Sequence, residues 1–175
     1  MEDRIIAVFL AELAAKPFSQ ISISSIMKRA GLPRTEFYLF FDNLDDCITT
    51  ILATRLRTVF ESLTDVFIDD KTLVAGVQFV MSGQDTIEKL WKLQTSHTDV
   101  FAQLKEQFTK LAETSIAQKW PTLNGTDLSY FSQYYAVSIL NMIEWYFDHD
   151  VSARYVSTRV AALYQGLFTT IANFA

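Results

Sequence analysis

Arg34, Thr35 and Tyr38 are the residues whose types and spacing best suit a defined chemistry. In the run Arg34-Thr35-Glu36-Phe37-Tyr38-Leu39-Phe40-Phe41, Phe37 and Phe41 stand at i and i+4 and can bury one side of a helix. Arg34, Thr35, Tyr38 and Leu39 are then turned outward, and a short helix showing a cation, a hydroxyl and a phenol resembles one that reads a nucleic-acid groove. Other chemistries find less support. His97 and His149 are more than fifty residues apart, and neither is spaced with Cys47 as a metal site requires, so no metal is expected. No glycine-rich phosphate loop, nucleophile elbow or Ser/His/Asp grouping is present, which makes an enzyme the least favoured class and implies no cofactor. Cys47 falls in the first turn of a helix, where the dipole lowers a thiol pKa, although a small half-buried residue is the commoner role.

These side chains need a frame. Ile5, Ile6, Phe9, Leu10 and Leu13 recur at spacings of three and four, which predicts a helix from about Glu2 to Ala15, ended by Lys16-Pro17. Ser22 is placed to cap a second helix, Ile23 to Ala30, that buries Ile23, Ile26, Met27 and Ala30. In Gly31-Leu32-Pro33 the glycine closes one helix in a left-handed conformation and the proline favours the start of the next. Asp42-Asn43 caps a longer helix expected from about Leu44 to Phe67. Two shorter amphipathic segments follow, about Thr72 to Met81 and Asp85 to Gln94, divided by Ser82-Gly83. A longer one, about Thr98 to Trp120, is closed by Pro121 and the Asn124-Gly125 turn signal. The last two, about Asp127 to His149 and Ser152 to Phe174, predict an antiparallel hairpin with Ser152 as the cap between them.

The fold class is therefore all-α, with about nine helices. Only five Gly and three Pro punctuate 175 residues, and half of all residues are hydrophobic, enough for a sizeable core. The natural division falls near Cys47: an N-terminal three-helix helix-turn-helix domain over 1–47, and a helical ligand-binding and dimerisation domain over 48–175. A lone cysteine, the lack of a leader and the lack of an unbroken apolar run of membrane-spanning length predict a cytoplasmic protein with no membrane partner. With a net charge of −5, attraction to nucleic acid must come from a local basic patch.

The helix from Asp127 to His149 is apolar on two sides, which predicts a subunit interface as well as a core. Two terminal hairpins packed as a four-helix bundle would form a homodimer through Tyr135, Ile139, Met142, Val160, Leu163, Leu167 and Ile171. Aromatic residues are frequent in the C-terminal part and can line a pocket for a small apolar or aromatic ligand. His97, Tyr134, Asn141 and Trp145 put polar atoms among these apolar helices and are the expected ligand contacts.

Phe18, Ile21 to Ile26, Ala30-Gly31-Leu32 and Phe37-Tyr38 with Phe41 resemble the N-terminal helix-turn-helix of the TetR family of transcriptional regulators. The C-terminal part is similar to the ligand-binding domains of small Firmicutes-type members, in its terminal hairpin and in Trp145 followed by the Asp148 to Ser152 break. The resemblance implies a dimer that sets two Gly31-to-Phe41 units into successive major grooves of double-stranded DNA, with an inducer moving the helix that begins near Leu44. It also implies that Thr35 and Tyr38 bond phosphates, that Arg34 reaches a guanine edge, and that Ser24 and Ser25 touch the flanking backbone.

The sequence departs from the family pattern at two positions. Glu36 replaces a small hydroxyl residue and repels phosphate unless it reads a cytosine amino group, and Leu44 replaces a backbone-gripping lysine. Over residues 1–47, five bases (Arg4, Lys16, Lys28, Arg29, Arg34) face seven acids (Glu2, Asp3, Glu12, Glu36, Asp42, Asp45, Asp46), a net charge of −2. Two functions follow. One is an operator-binding regulator relying on Lys28, Arg29 and Arg34, with Arg55 and Arg57 nearby. The alternative is a TetR-like coregulator with impaired DNA binding that acts through a protein partner or ligand.

Overall fold

The apolar stripes read along the chain are realised as α-helices in the computed structural model, which describes residues 1–57, 70–82 and 84–175. In chain order these are α1 (Glu2–Ala15), α2 (Ile23–Ala30), α3 (Arg34–Phe37), α4 (Leu44–Ile51), α5 (Asp70–Ser82), α6 (Gln84–Trp91), α7 (Val100–Lys119), α8 (Gly125–Phe147) and α9 (Ala153–Ala172). No strand occurs among the described residues beyond one isolated antiparallel bridge between Gln94 and Asp99. A one-turn 3₁₀ segment, Phe18–Gln20, follows the Lys16-Pro17 stop. The helix of α4 widens into a π turn over Leu52–Leu56, and its expected continuation to Phe67 falls outside the described residues.

Two compact units form: Met1–Arg57 with Asp85–Phe101, and Thr58–Gln84 with Ala102–Ala175. The unit around the reader segment thus takes in more than residues 1–47, because α6 and the connection after it are bonded to the first four helices. The ammonium of Lys89 donates to the carbonyl of Ala14 at the open end of α1, and Thr95 Oγ1 donates to Asp45 Oδ1 in the first turn of α4 at 2.5 Å. Ile5, Phe9, Leu13, Ile26, Met27, Phe37, Phe41 and Ile48 are buried in this unit, together with Leu90 and Trp91 of α6. Cys47 joins them with no exposed surface, and burial, reinforced by Asp46 and Glu2, pushes its thiol up to about 12. Desolvation of the thiolate outweighs the helix dipole, so this cysteine is an inert core residue.

In the second unit α5 packs along α9, and α8 packs on the same helix. Leu104, Phe108, Ala112 and Ile116 form the buried stripe of α7, while Phe131, Tyr135, Ile139 and Leu140 do the same for α8. Tyr135, Tyr164 and Phe168 make a three-ring cluster, with Tyr135 and Tyr164 centroids 4.8 Å apart, and burial raises the Tyr164 phenol above its ordinary pKa. Ser152 caps α9 by accepting from Tyr155 N at 3.2 Å, as its position predicts. Asn124 and Gly125, read from sequence as the end of the preceding segment, instead open α8. The Asn124 side chain accepts from Thr126 N and Asp127 N at 3.1 and 3.0 Å. No described helix is long and apolar enough to cross a membrane.

Candidate nucleic-acid interface

Three local devices aim the reader segment. At the start of α2, Ser25 N donates to Ser22 Oγ at 3.1 Å and Ser22 N donates to Ser25 Oγ at 3.2 Å, a reciprocal capping box that satisfies two open donors. At its end Gly31 sits at φ 66, ψ 34, with Gly31 N bonded to Lys28 O and Leu32 N to Met27 O, the paired bonds of a Schellman closure. A Cβ at Gly31 would carry the left-handed penalty and lie 3.4 Å from Arg4 Nη2. Pro33 then precedes the first helical residue, Arg34.

The regular helix of α3 stops at Phe37, earlier than its sequence suggested. Leu39 N turns to Glu36 O at 3.3 Å and Phe40 N to Phe37 O at 3.1 Å, bonds between residues three apart that tighten the last turn before Asp42. The i, i+4 register survives, since Phe41 N still reaches Phe37 O at 3.0 Å and both rings are buried with centroids 5.3 Å apart. Arg34, Thr35, Tyr38 and Leu39 are exposed, Leu39 at 74% against 48% for Tyr38. Arg34 Nη2 donates to the Tyr38 hydroxyl oxygen at 3.1 Å, which orients the phenol and leaves its proton to donate outward.

The remaining positions expected at such an interface divide. Ser24 and Lys28 are exposed. Ser25 is half-buried, and its hydroxyl is committed to the cap and to Ser22 O at 2.8 Å. Arg29 is exposed but its Nη1 lies 2.9 Å from Glu12 Oε1. Glu36 is half-buried, with one carboxylate oxygen enclosed and given no hydrogen bond. Arg57 is exposed, and the side chain of Arg55 lies outside the described ones.

Three of the seven acids counted in residues 1–47 are bonded within the protein. Glu12 is buried between Lys16 and Arg29, whose hydrogen bonds and charges hold its carboxyl below the usual carboxylate range. Asp45 accepts from Thr95, with Thr98 in support, and is likewise lowered. Asp46 Oδ2 accepts from Asp42 N at 3.0 Å, while Asn43 caps α4 by accepting from Asp46 N at 2.9 Å. No sequence signal marked the bond between Asp45 and Thr95, which joins residues fifty positions apart.

The ion pairs of Glu12 have a testable consequence. A carboxylate whose pKa is lower in the folded than in the unfolded state adds stability above its unfolded pKa and loses that stability as pH falls through the folded value. Glu12→Gln should therefore cost about 1–2 kcal/mol at neutral pH, the partners being partly exposed. The gap between wild type and variant should close below about pH 4 in urea unfolding followed by circular dichroism.

No family model and no curated protein matches the sequence. Among solved structures, the chain matches one titled dihydroxyacetone kinase operon activator DhaS, with a TM-score of 0.72 over 99% of this chain and 97% of that one. The chain has the fold of DhaS. Their sequences are 17% identical, so the likeness is one of architecture, and it bears out the all-helical fold class expected from the sequence.

Three of the four residues expected around a small ligand share one helix face. His97 lies exposed in the connection between α6 and α7, within the first unit. Tyr134, Asn141 and Trp145 share an exposed face of α8, where Trp145 stacks on His149 at 3.9 Å between ring centroids. A small, partly open apolar cavity of the second unit is lined by other residues, including Val77, Val80, Ile143, Tyr146 and Val156, and its free space is about 20 Å³. Of the residues expected between subunits, Tyr135, Ile139, Val160 and Ile171 are buried within the second unit itself, Met142 and Leu167 are half-buried, and Leu163 is exposed. Leu163, Met142 and Leu167 border an open groove between α8 and α9 that also carries Tyr130, Tyr134 and Phe174. Among the described residues no group of three His, Cys, Asp or Glu side chains is arranged to hold a metal ion.

Proposed function

We propose that this chain is a transcriptional regulator of the TetR type that binds operator DNA as a homodimer. The observation that carries this reading is the outward set Arg34, Thr35, Tyr38 and Leu39 on a segment anchored by buried Phe37 and Phe41, behind a glycine-closed turn. A side chain set with a cation, two hydroxyls and an apolar tip matches what a major groove and its phosphates offer. The net −2 of residues 1–47 stands against this reading, since Asp45 and Asp46 accept from neutral donors and keep their charge, and Glu12 engages two of the five bases, Lys16 and Arg29. A shared fold with a protein titled an operon activator supports the same class.

For the dimer, the supporting observation is the exposed apolar groove of α8 and α9, with Leu163 56% and Tyr134 55% exposed. A second copy of the hairpin would cover it in a four-helix bundle. Response to a small apolar ligand belongs, in this reading, to the second unit, whose cavity must widen to admit one. Fluorescence anisotropy on duplexes from the chain's own promoter region, at low salt, should show tighter binding than to random duplex, and light scattering at micromolar concentration should give twice the 20.0 kDa chain mass. Equal affinity for both duplexes defeats operator binding, and a monomer defeats the bundle.

The second reading, a coregulator acting through a protein partner, is favoured by Leu44 where the family carries a lysine and by the net acidity of the reader unit. It becomes the better one if anisotropy fails.

A further inference from the structure

We infer that Leu39, with the methyl of Thr35 behind it, reads the C5-methyl group of thymine, so that the operator half-site carries at least one thymine at a position set by this ridge. The inference rests on the DNA-binding reading and specifies what its outermost residues recognise.

Phe37 and Phe41 define the inward direction of the segment, being one helical turn apart and fully buried. Within α3, Thr35 stands two residues before Phe37, a rotation of about 200°, and Leu39, in the tightened turn after it, is 74% exposed, so both point away from the core. Arg34 and Tyr38 lie to one flank and are tied to each other by a hydrogen bond of 3.1 Å; Glu36 and Phe40 lie to the other. If this face enters a major groove, the flanking Arg34 and Tyr38 meet the phosphate walls or the rim of the groove, and the Thr35 and Leu39 ridge goes deepest.

At 74%, Leu39 is the most exposed of the large hydrophobic side chains in the described residues. An isobutyl group offers a base edge no hydrogen bond. Of the four base pairs only those with thymine present an apolar group in the major groove, the C5-methyl, so burial of that methyl against Leu39 is the one favourable contact available. The exposed cations Arg34 and Lys28 on the same unit fit a polyanionic occupant of this face.

The test uses duplexes that the full chain itself selects from random-sequence DNA. Each thymine of the selected half-site is replaced singly by deoxyuridine, which pairs identically and lacks only the methyl. At one or two positions the replacement should weaken binding about fourfold, the worth of one buried methyl group. With Leu39→Ala, or with Thr35→Ser at the neighbouring position, the same replacement should make no further difference, while circular dichroism shows both variants folded. Specific binding that tolerates deoxyuridine everywhere overturns this inference and leaves operator binding standing. Undiminished deoxyuridine sensitivity in both variants also overturns it. Selection of no preferred sequence overturns both readings together.

Discussion

Replacing Phe37 by alanine should cost the unit that holds the helix-turn-helix about 3–5 kcal/mol, the usual penalty for emptying a fully buried aromatic site. The ring has no exposed surface, sits edge-on to Tyr38 at 5.7 Å and tilts against Phe41 at 5.3 Å, so its removal takes contacts from the C-terminal half of the reader segment. Because α3 has a single regular turn and cannot hold itself together, tertiary anchoring is what keeps it helical. Urea unfolding followed by circular dichroism measures the loss. Phe37→Leu, which keeps most of the volume, should cost about 1–1.5 kcal/mol. A loss under about 1 kcal/mol for the alanine variant would mean that the segment is anchored elsewhere and that its outward face is not set by Phe37.

The second large effect is expected on DNA affinity. Arg34→Ala should weaken binding to the selected operator by about ten- to a hundredfold, since it removes the cation nearest the outward ridge and also the donor that orients the Tyr38 hydroxyl. Arg34→Lys separates two roles. If Arg34 grips a phosphate, the lysine variant keeps most of the affinity and the alanine variant lowers the slope of log K against log salt by about one unit. If Arg34 reads a guanine through its planar fork, lysine restores little and the preference at one base position relaxes. Tyr38→Phe removes the outward phenol proton together with the oxygen that accepts from Arg34, keeps the cation, and should fall short of the alanine variant. Unchanged operator affinity for Arg34→Ala would remove this face from the interface.

What could be read along the chain was what depends on near neighbours. α1 and α2 begin and end where their apolar spacing and Lys16-Pro17, Ser22 and Gly31 predict, because stripes, caps and the left-handed glycine act over three to five residues. Ser152 capped α9 for the same reason. Local signals misled where one residue type serves two ends: Asn124-Gly125 reads equally as a turn and as a helix start, and only the bonds to Thr126 N and Asp127 N decide. The early stop of α3 was also hidden, since hydrogen bonding between residues three apart leaves the Phe37/Phe41 spacing unchanged.

Sequence by itself determined the helical class, the turn between α2 and α3, and which residues of the reader segment face out, since Phe37 and Phe41 dictate the register. Tertiary structure alone decided how its charges are spent. The pair of Glu12 with Arg29, 17 residues further on, and the bond from Thr95 that occupies Asp45, 50 residues away, depend on elements folded back on one another, beyond the reach of any local pattern. It also decided that Tyr135, Ile139, Val160 and Ile171 are core, while Leu163 and Tyr134 stay at the surface. An apolar stripe states that a face must be covered, and only the packing of α5, α8 and α9 states which side of it the same chain covers.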